Sequence, residues 1–163
     1  MEDGKKILDS IRVLVRAIRV SSRACEASAG RSGAQIFVLE QLHRAGRLSV
    51  NELAERTFTH QSTVSVVVGR LIADGLVSRA RSKADARRIE LALTPKGARA
   101  FERAPRTAQQ DLARAIGALD VQKRKRLGAL LHDLVAAAGF DEARPPLLFE
   151  DDARERKKKN VRA

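Results

Sequence analysis

The stretch Ser49-Val50-Asn51-Glu52-Leu53-Ala54-Glu55-Arg56-Thr57-Phe58-Thr59-His60-Gln61-Ser62-Thr63-Val64-Ser65-Val66-Val67-Val68-Gly69-Arg70-Leu71-Ile72-Ala73-Asp74-Gly75 decides the fold. Ser49 followed three residues later by Glu52 is a capping box, in which each side chain satisfies an amide at the helix start. It opens a short helix ending near Arg56. Thr57-Phe58-Thr59 is a turn rich in hydroxyls, and Thr59 is placed to cap a second helix from His60 to about Asp74, closed by Gly75. That second helix sorts into two faces. Val64, Val67, Val68, Leu71 and Ile72 recur at helical spacing and form a core face. Gln61, Ser62, Thr63, Ser65, Val66, Gly69 and Arg70 remain outside. The outer face is small and polar, with no acidic residue before Asp74. A helix entering a major groove needs that shape, because bulky or acidic side chains hold it off the phosphates.

Downstream of Gly75 the period changes. Leu76 to Arg81 alternates apolar or small residues with polar ones, Ser82 to Ala86 is a polar turn, and Ile89 to Leu93 alternates again. The segment reads as a two-stranded β-hairpin carrying Arg79, Arg81, Lys83, Arg87 and Arg88. Arginines at a narrow tip suit a minor groove, where negative potential concentrates. Asp85 reads as a brace that orients Arg87 by a charge-assisted hydrogen bond. Helix, turn, helix and basic hairpin, in that order, is the winged helix-turn-helix plan for duplex DNA.

The flanks read as helices. Lys5 to Ser28 carries an apolar stripe of Ile7, Ile11, Leu14 and Ile18, widened by Leu8 and Val15, with Arg12, Arg16, Arg19 and Arg23 largely opposite. Ser32 and Gln35 form another capping box, opening a helix that ends at Gly46. Thr94-Pro95 starts a further helix, which Pro105 kinks or interrupts. The pattern resumes through Leu112, Ile116 and Leu119, and Asp120 caps a last helix bearing Leu127, Leu130, Leu131, Leu134 and Val135 up to Gly139. Residues 140–163 form a tail, charge-dense at its end and expected to be partly disordered.

Composition narrows the function. Lys and Arg number 32 against 20 Asp and Glu, a net charge of +12 over 163 residues, which favours a polyanionic partner. Apolar residues at 44% suffice for a core, while aromatics at 3%, all Phe, argue against single-strand binders that stack bases. The lone Cys25 forms no internal disulfide and no Cys-based zinc finger. His43, His60 and His132 lack ligand spacing, so no metal is expected. No apolar run spans a membrane and no signal peptide opens the chain, so the expected address is the cytoplasm. Gly30-Arg31-Ser32-Gly33 lies between helices and is no phosphate loop. No catalytic constellation and no cofactor site are expected, and the chain reads as a non-enzyme.

Leu48 to Ala54, Gln61 to Ser65, Arg70-Leu71 and Asp74 to Val77, followed by Asp85-Ala86-Arg87-Arg88 and Leu91 to Gly97, resemble the MarR (multiple-antibiotic-resistance regulator) family. The resemblance is specific from Leu48 to Gly97 and architectural from Lys5 to Gly139. It implies a homodimeric repressor on a pseudo-palindrome, relieved by an anionic or aromatic effector or by oxidation. It implies a mainly α fold, with a winged helix-turn-helix at 32–97 inside a helical dimerisation region at 5–31 and 98–139. DNA contacts are expected at Ser49, Gln61, Ser62, Thr63, Ser65, Val66 and Arg70, and on the wing residues named above. Arg12, Arg16 and Arg19 are candidates for an effector crevice, and Cys25 for a redox switch, although it also reads as a small helix residue that packs. A nonspecific architectural DNA binder is the competing reading from another class.

Overall fold

Local capping chemistry fixes where most helices begin. The computed structural model describes residues 2–82 and 88–140. In order, the elements are α1 (Glu2–Ala29), α2 (Gly33–Ala45), β1 (Arg47–Leu48), α3 (Val50–Arg56), α4 (Gln61–Ala73), β2 (Val77–Arg81), β3 (Ile89–Leu93), α5 (Pro95–Glu102), α6 (Ala108–Ala118) and α7 (Val121–Ala137). The boxes Ser32/Gln35 and Ser49/Glu52 both form, and Thr107/Gln110 forms a third at the start of α6. Thr94 and Asp120 accept the amides of Gly97 and Lys123. Pro105 interrupts rather than kinks, since α5 stops at Glu102 and α6 starts afresh at Ala108.

Two expectations are corrected. Thr59 does not cap α4. The N-cap is His60, whose side chain makes no capping bond. The reason lies in how α3 ends: the Phe58 amide donates to the Glu55 carbonyl (3.2 Å) and the Thr59 amide to the Ala54 carbonyl (3.0 Å). Thr59 is thus still part of the α3 terminus, a Schellman arrangement whose left-handed residue is Phe58, at φ 53°. The sheet is also three-stranded, in the order β1-β3-β2, all antiparallel. β1 is two residues long, too short for alternation to reveal it.

The core forms around α2. Ile36, Val38, Leu39 and Leu42 are buried, and Phe37 with them, so this helix is apolar almost all round. Leu53, Val64, Val67, Leu71, Leu76 and Leu91 close over it from the helix-turn-helix and the sheet. The outer helices differ. In α1 only Ile18, Ser22 and Cys25 are buried. The Ser21 hydroxyl accepts the Ala108 amide (3.1 Å) and the Ser22 hydroxyl accepts the Gly33 amide (3.4 Å). Ile7, Leu8, Leu14 and Val15 stay exposed, and no residue of α7 is buried.

The join between the helix-turn-helix and α5 is tight. The Leu76 carbonyl accepts both the amide and the hydroxyl of Thr94. A Cβ on Gly97 would lie 2.0 Å from that same carbonyl oxygen. Backbone cannot yield there as a side-chain tip would. Gly97→Ala is therefore expected to cost about 3 kcal/mol or more, the upper end of overpacking penalties, read as a lowered urea midpoint.

Candidate nucleic-acid interface

The two faces of α4 follow the sequence reading. Val64, Val67, Val68 and Leu71 are buried, with Ile72 half-buried. Gln61, Ser62, Ser65, Val66 and Gly69 are exposed, and Thr63 and Arg70 are half-buried. The Ser65 hydroxyl donates to the Gln61 carbonyl (2.8 Å), which turns its lone pairs outward. A Cβ on Gly69 would meet nothing within 4 Å, so this position keeps the outer surface low.

Cations hold the far end of α4 in place. Arg31 pairs with the Asp74 carboxylate (3.2 Å), and the Lys96 ammonium donates to the Asp74 carbonyl (2.9 Å). Gly75 follows at φ 69° and turns the chain into β2. Along β2, Arg79 and Arg81 are exposed, opposite Leu91 and Ile89 of β3. Lys83, Asp85 and Arg87 lie outside the described residues.

Ser49 and Arg88, both expected at DNA, meet one another through Glu52. The Ser49 amide and hydroxyl donate to Glu52 Oε2 (2.7 and 2.9 Å), and Arg88 pairs with the same oxygen at 2.5 Å. Glu52 thus joins the start of α3 to the base of the wing. The Arg88 bond, then the Ser49 amide and hydroxyl, pull its carboxyl from an ordinary value near 4.5 down to about 2. The sequence marks Glu52 only as a capping residue. Its second partner is distant in the chain and carries no local signal.

The α1 arginines are spread along an exposed face, where Arg12 pairs with Asp9 at 2.7 Å. None of Arg12, Arg16 and Arg19 lines the cavity of about 370 Å³ found between α2, α5 and α6. That cavity is walled by Arg44, Arg106 and Arg114, by the carboxylates of Glu40 and Glu102, and by Phe101 and Pro105, among others. Only the helix break at Pro105 hinted at it in the sequence. Cys25 is fully buried, its thiol 3.7 Å from the Pro105 carbonyl. Burial, then the neighbouring Glu26, raises its pKa, the opposite of what an oxidation-prone thiolate requires. Among the described residues no His, Cys, Asp or Glu group could hold a metal, and no helix is long and apolar enough to cross a membrane.

A helix-turn-helix packed on the core through one face of α4, with a small polar outer face, a basic strand beside it and β3 braced to its first helix through Arg88, has the architecture of the winged-helix transcriptional regulators. The comparisons agree. The MarR family profile matches residues 29–88. The HTH-type transcriptional repressor MdtR of Bacillus subtilis (strain 168) is 30% identical over 146 residues, covering 87% of this chain and 94% of MdtR. A crystal structure of a MepR-like protein complexed with pseudoligands matches with a TM-score of 0.56 at 25% identity, over 86% of this chain and 100% of that one. YusO from Bacillus subtilis matches with a TM-score of 0.51 at 28% identity, over 83% of this chain and 96% of that one. A mutant MarR from E. coli, solved with operator DNA, shares the fold (TM-score 0.53, 22% identity, covering 80% and 96%). The chain belongs to the MarR family, whose members are DNA-binding transcriptional regulators and not enzymes.

The Glu52 carboxyl gives a pH signature. Its folded pKa lies below the unfolded one, so its contribution is complete above about pH 4.5 and is lost as pH falls towards 2. Glu52→Gln is expected to be less stable than the parent at pH 7 by no more than about 1 kcal/mol, since both partners are substantially solvated. Urea unfolding repeated from pH 7 to pH 2 should show that gap closing across the acid range.

Proposed function

We propose that the protein is a homodimeric, sequence-specific repressor whose two α4 helices occupy successive major grooves of a pseudo-palindromic operator, with the wings in the flanking minor grooves. The observation that carries this reading is the small, exposed, acid-free face of α4 beside the exposed Arg79 and Arg81. The uncovered apolar stripes of α1 and α7 support the dimer. Leu130, Leu131, Leu134 and Val135 are 41–58% exposed in a single chain, more apolar surface than a lone helix normally leaves in water. Residues 5–31 and 98–139 then form the dimerisation region, which sets the recognition helices one DNA turn apart, about 34–36 Å. Repression follows MdtR, whose name states that activity.

Effector response belongs to the same reading. The cavity between α2, α5 and α6 has the volume of a small-molecule site and combines Phe101 with three arginines and the carboxylates of Glu40 and Glu102. A small aromatic compound fits beside Phe101, while the arginines of the wall already pair with carboxylates, Arg44 with Glu40 at 2.8 Å and Arg106 and Arg114 with Asp111 at 2.6 and 3.3 Å. A ligand that binds one separation of the recognition helices better than another changes operator affinity by the difference.

Selection from a random duplex pool at physiological salt tests the core claim. An enriched pseudo-palindrome is expected, and Gln61→Ala or Ser65→Ala should weaken binding to it by about tenfold. Strong binding with no enriched site would instead mark a nonspecific, salt-sensitive DNA binder. Leu130→Asp with Leu134→Asp should yield a monomer in sedimentation and lose operator binding. Cys25→Ser should leave operator affinity unchanged, with or without peroxide, and native Cys25 should react with a thiol reagent far more slowly than the unfolded chain.

A further inference from the structure

We propose that Phe58, in the turn between α3 and α4, is a specificity-determining residue whose ring packs against a thymine methyl at the edge of each operator half-site. The inference rests on the sequence-specific reading above and adds a contact to it.

Among the described residues, three helix ends close in the same way. At the end of α4, Leu76 donates to the Leu71 carbonyl and Gly75 to Ile72. At the end of α7, Phe140 donates to Val135 and Gly139 to Ala136. At the end of α3, Thr59 donates to Ala54 and Phe58 to Glu55. This bonding places the middle residue in the left-handed region, which glycine enters without penalty and a bulky side chain does not. The first two ends use Gly75 and Gly139, at φ 69° and 72°. The third uses Phe58, the one non-glycine residue with positive φ among those described. Backbone geometry therefore does not account for an aromatic residue there.

Packing does not account for it either. Phe58 is 59% exposed, whereas Phe37 in the core is 4% exposed. The backbone takes a conformation that costs a bulky residue, and yet the ring is left in water. Its position supplies the missing reason. Phe58 stands two residues before the N-cap of α4 in the chain, and His60, Gln61 and Ser62 that follow are exposed as it is. The N-terminal residues of a recognition helix are those that reach base edges. An uncharged aromatic ring there makes an apolar contact, and the thymine methyl is the apolar group that the major groove presents. A strained conformation kept at a binding surface is the pattern expected of function held against stability.

The test uses the full-length dimer, the duplex obtained by selection, and duplexes in which single thymines are replaced by deoxyuridine. Phe58→Gly should melt at the parent temperature or a few degrees higher, yet bind the operator about 5- to 20-fold more weakly. The parent should lose affinity when one particular thymine in each half-site loses its methyl, and Phe58→Gly should not. Phe58→Leu, which keeps an apolar side chain, should bind between the two. Unchanged operator affinity of Phe58→Gly overturns the proposal and points to a protein partner for the ring. A loss of affinity accompanied by a lower melting temperature also overturns it, because the ring would then be a packing group. If the parent selects no site, the sequence-specific reading fails and this inference fails with it; if the parent selects a site and deoxyuridine substitution has no effect at any position, only the inference fails.

Discussion

The burial of α2 on nearly every side is the constraint from which the rest of the fold follows. A helix with Ile36, Phe37, Val38, Leu39 and Leu42 buried has no solvent face to spare. Each such side chain contributes about 1.5–3 kcal/mol when fully removed from water. Neighbours must cover it from several directions at once, and α1, α4, α5, α6 and β3 all pack against it. For α4 this fixes orientation. Val64, Val67, Val68 and Leu71 must face the core, so the residues between them, Val66 included, must face outward. The composition of the outward surface of α4 is thus set by what the core does not take.

Charge is divided in a similar way. A net +12 suggests a protein that offers its cations to a polyanion. Several of them are committed within the fold instead. Arg88 holds Glu52, Arg31 and Lys96 hold Asp74 from two sides, and Arg47 faces Glu90 at 3.6 Å across β1 and β3. These contacts fix the two ends of the helix-turn-helix relative to the sheet. Preorganisation of that kind favours binding by reducing what must be ordered on contact. The structural cations also make total charge a poor guide to how many phosphates the protein neutralises.

The helices were legible in the sequence because their signals are local. A Ser or Thr with Gln or Glu three residues on, a Pro at the first turn and a Gly after the last each act within one turn of chain. The partition of α4 into two faces was legible for the same reason. What escaped depends on distant partners. β1 exists only because β3 lies beside it, and Glu52 acquires its second role only when Arg88 arrives from the wing. Thr59 reads as a cap in the sequence and is none in the structure, because the closing bonds of α3 extend one residue further than its helical spacing shows. Burial of Cys25 against Pro105 joins residues 80 apart in sequence, and no pattern around either one announces it.

The break at Pro105 has a mechanical side. α5 is bonded to the winged helix through Thr94 and Leu76, whereas α6 is bonded to α1 through Ala108 and Ser21. An unbroken helix between those two attachments would behave as a stiff rod and carry any torque from one to the other. Residues 103–107 replace the rod with a joint whose torsional compliance is set by a few backbone dihedrals and by how well its surroundings are filled. The 370 Å³ cavity borders that joint through Ala104, Pro105 and Arg106. Stiffness at this point is therefore a property of side-chain packing rather than of a hydrogen-bonded ladder.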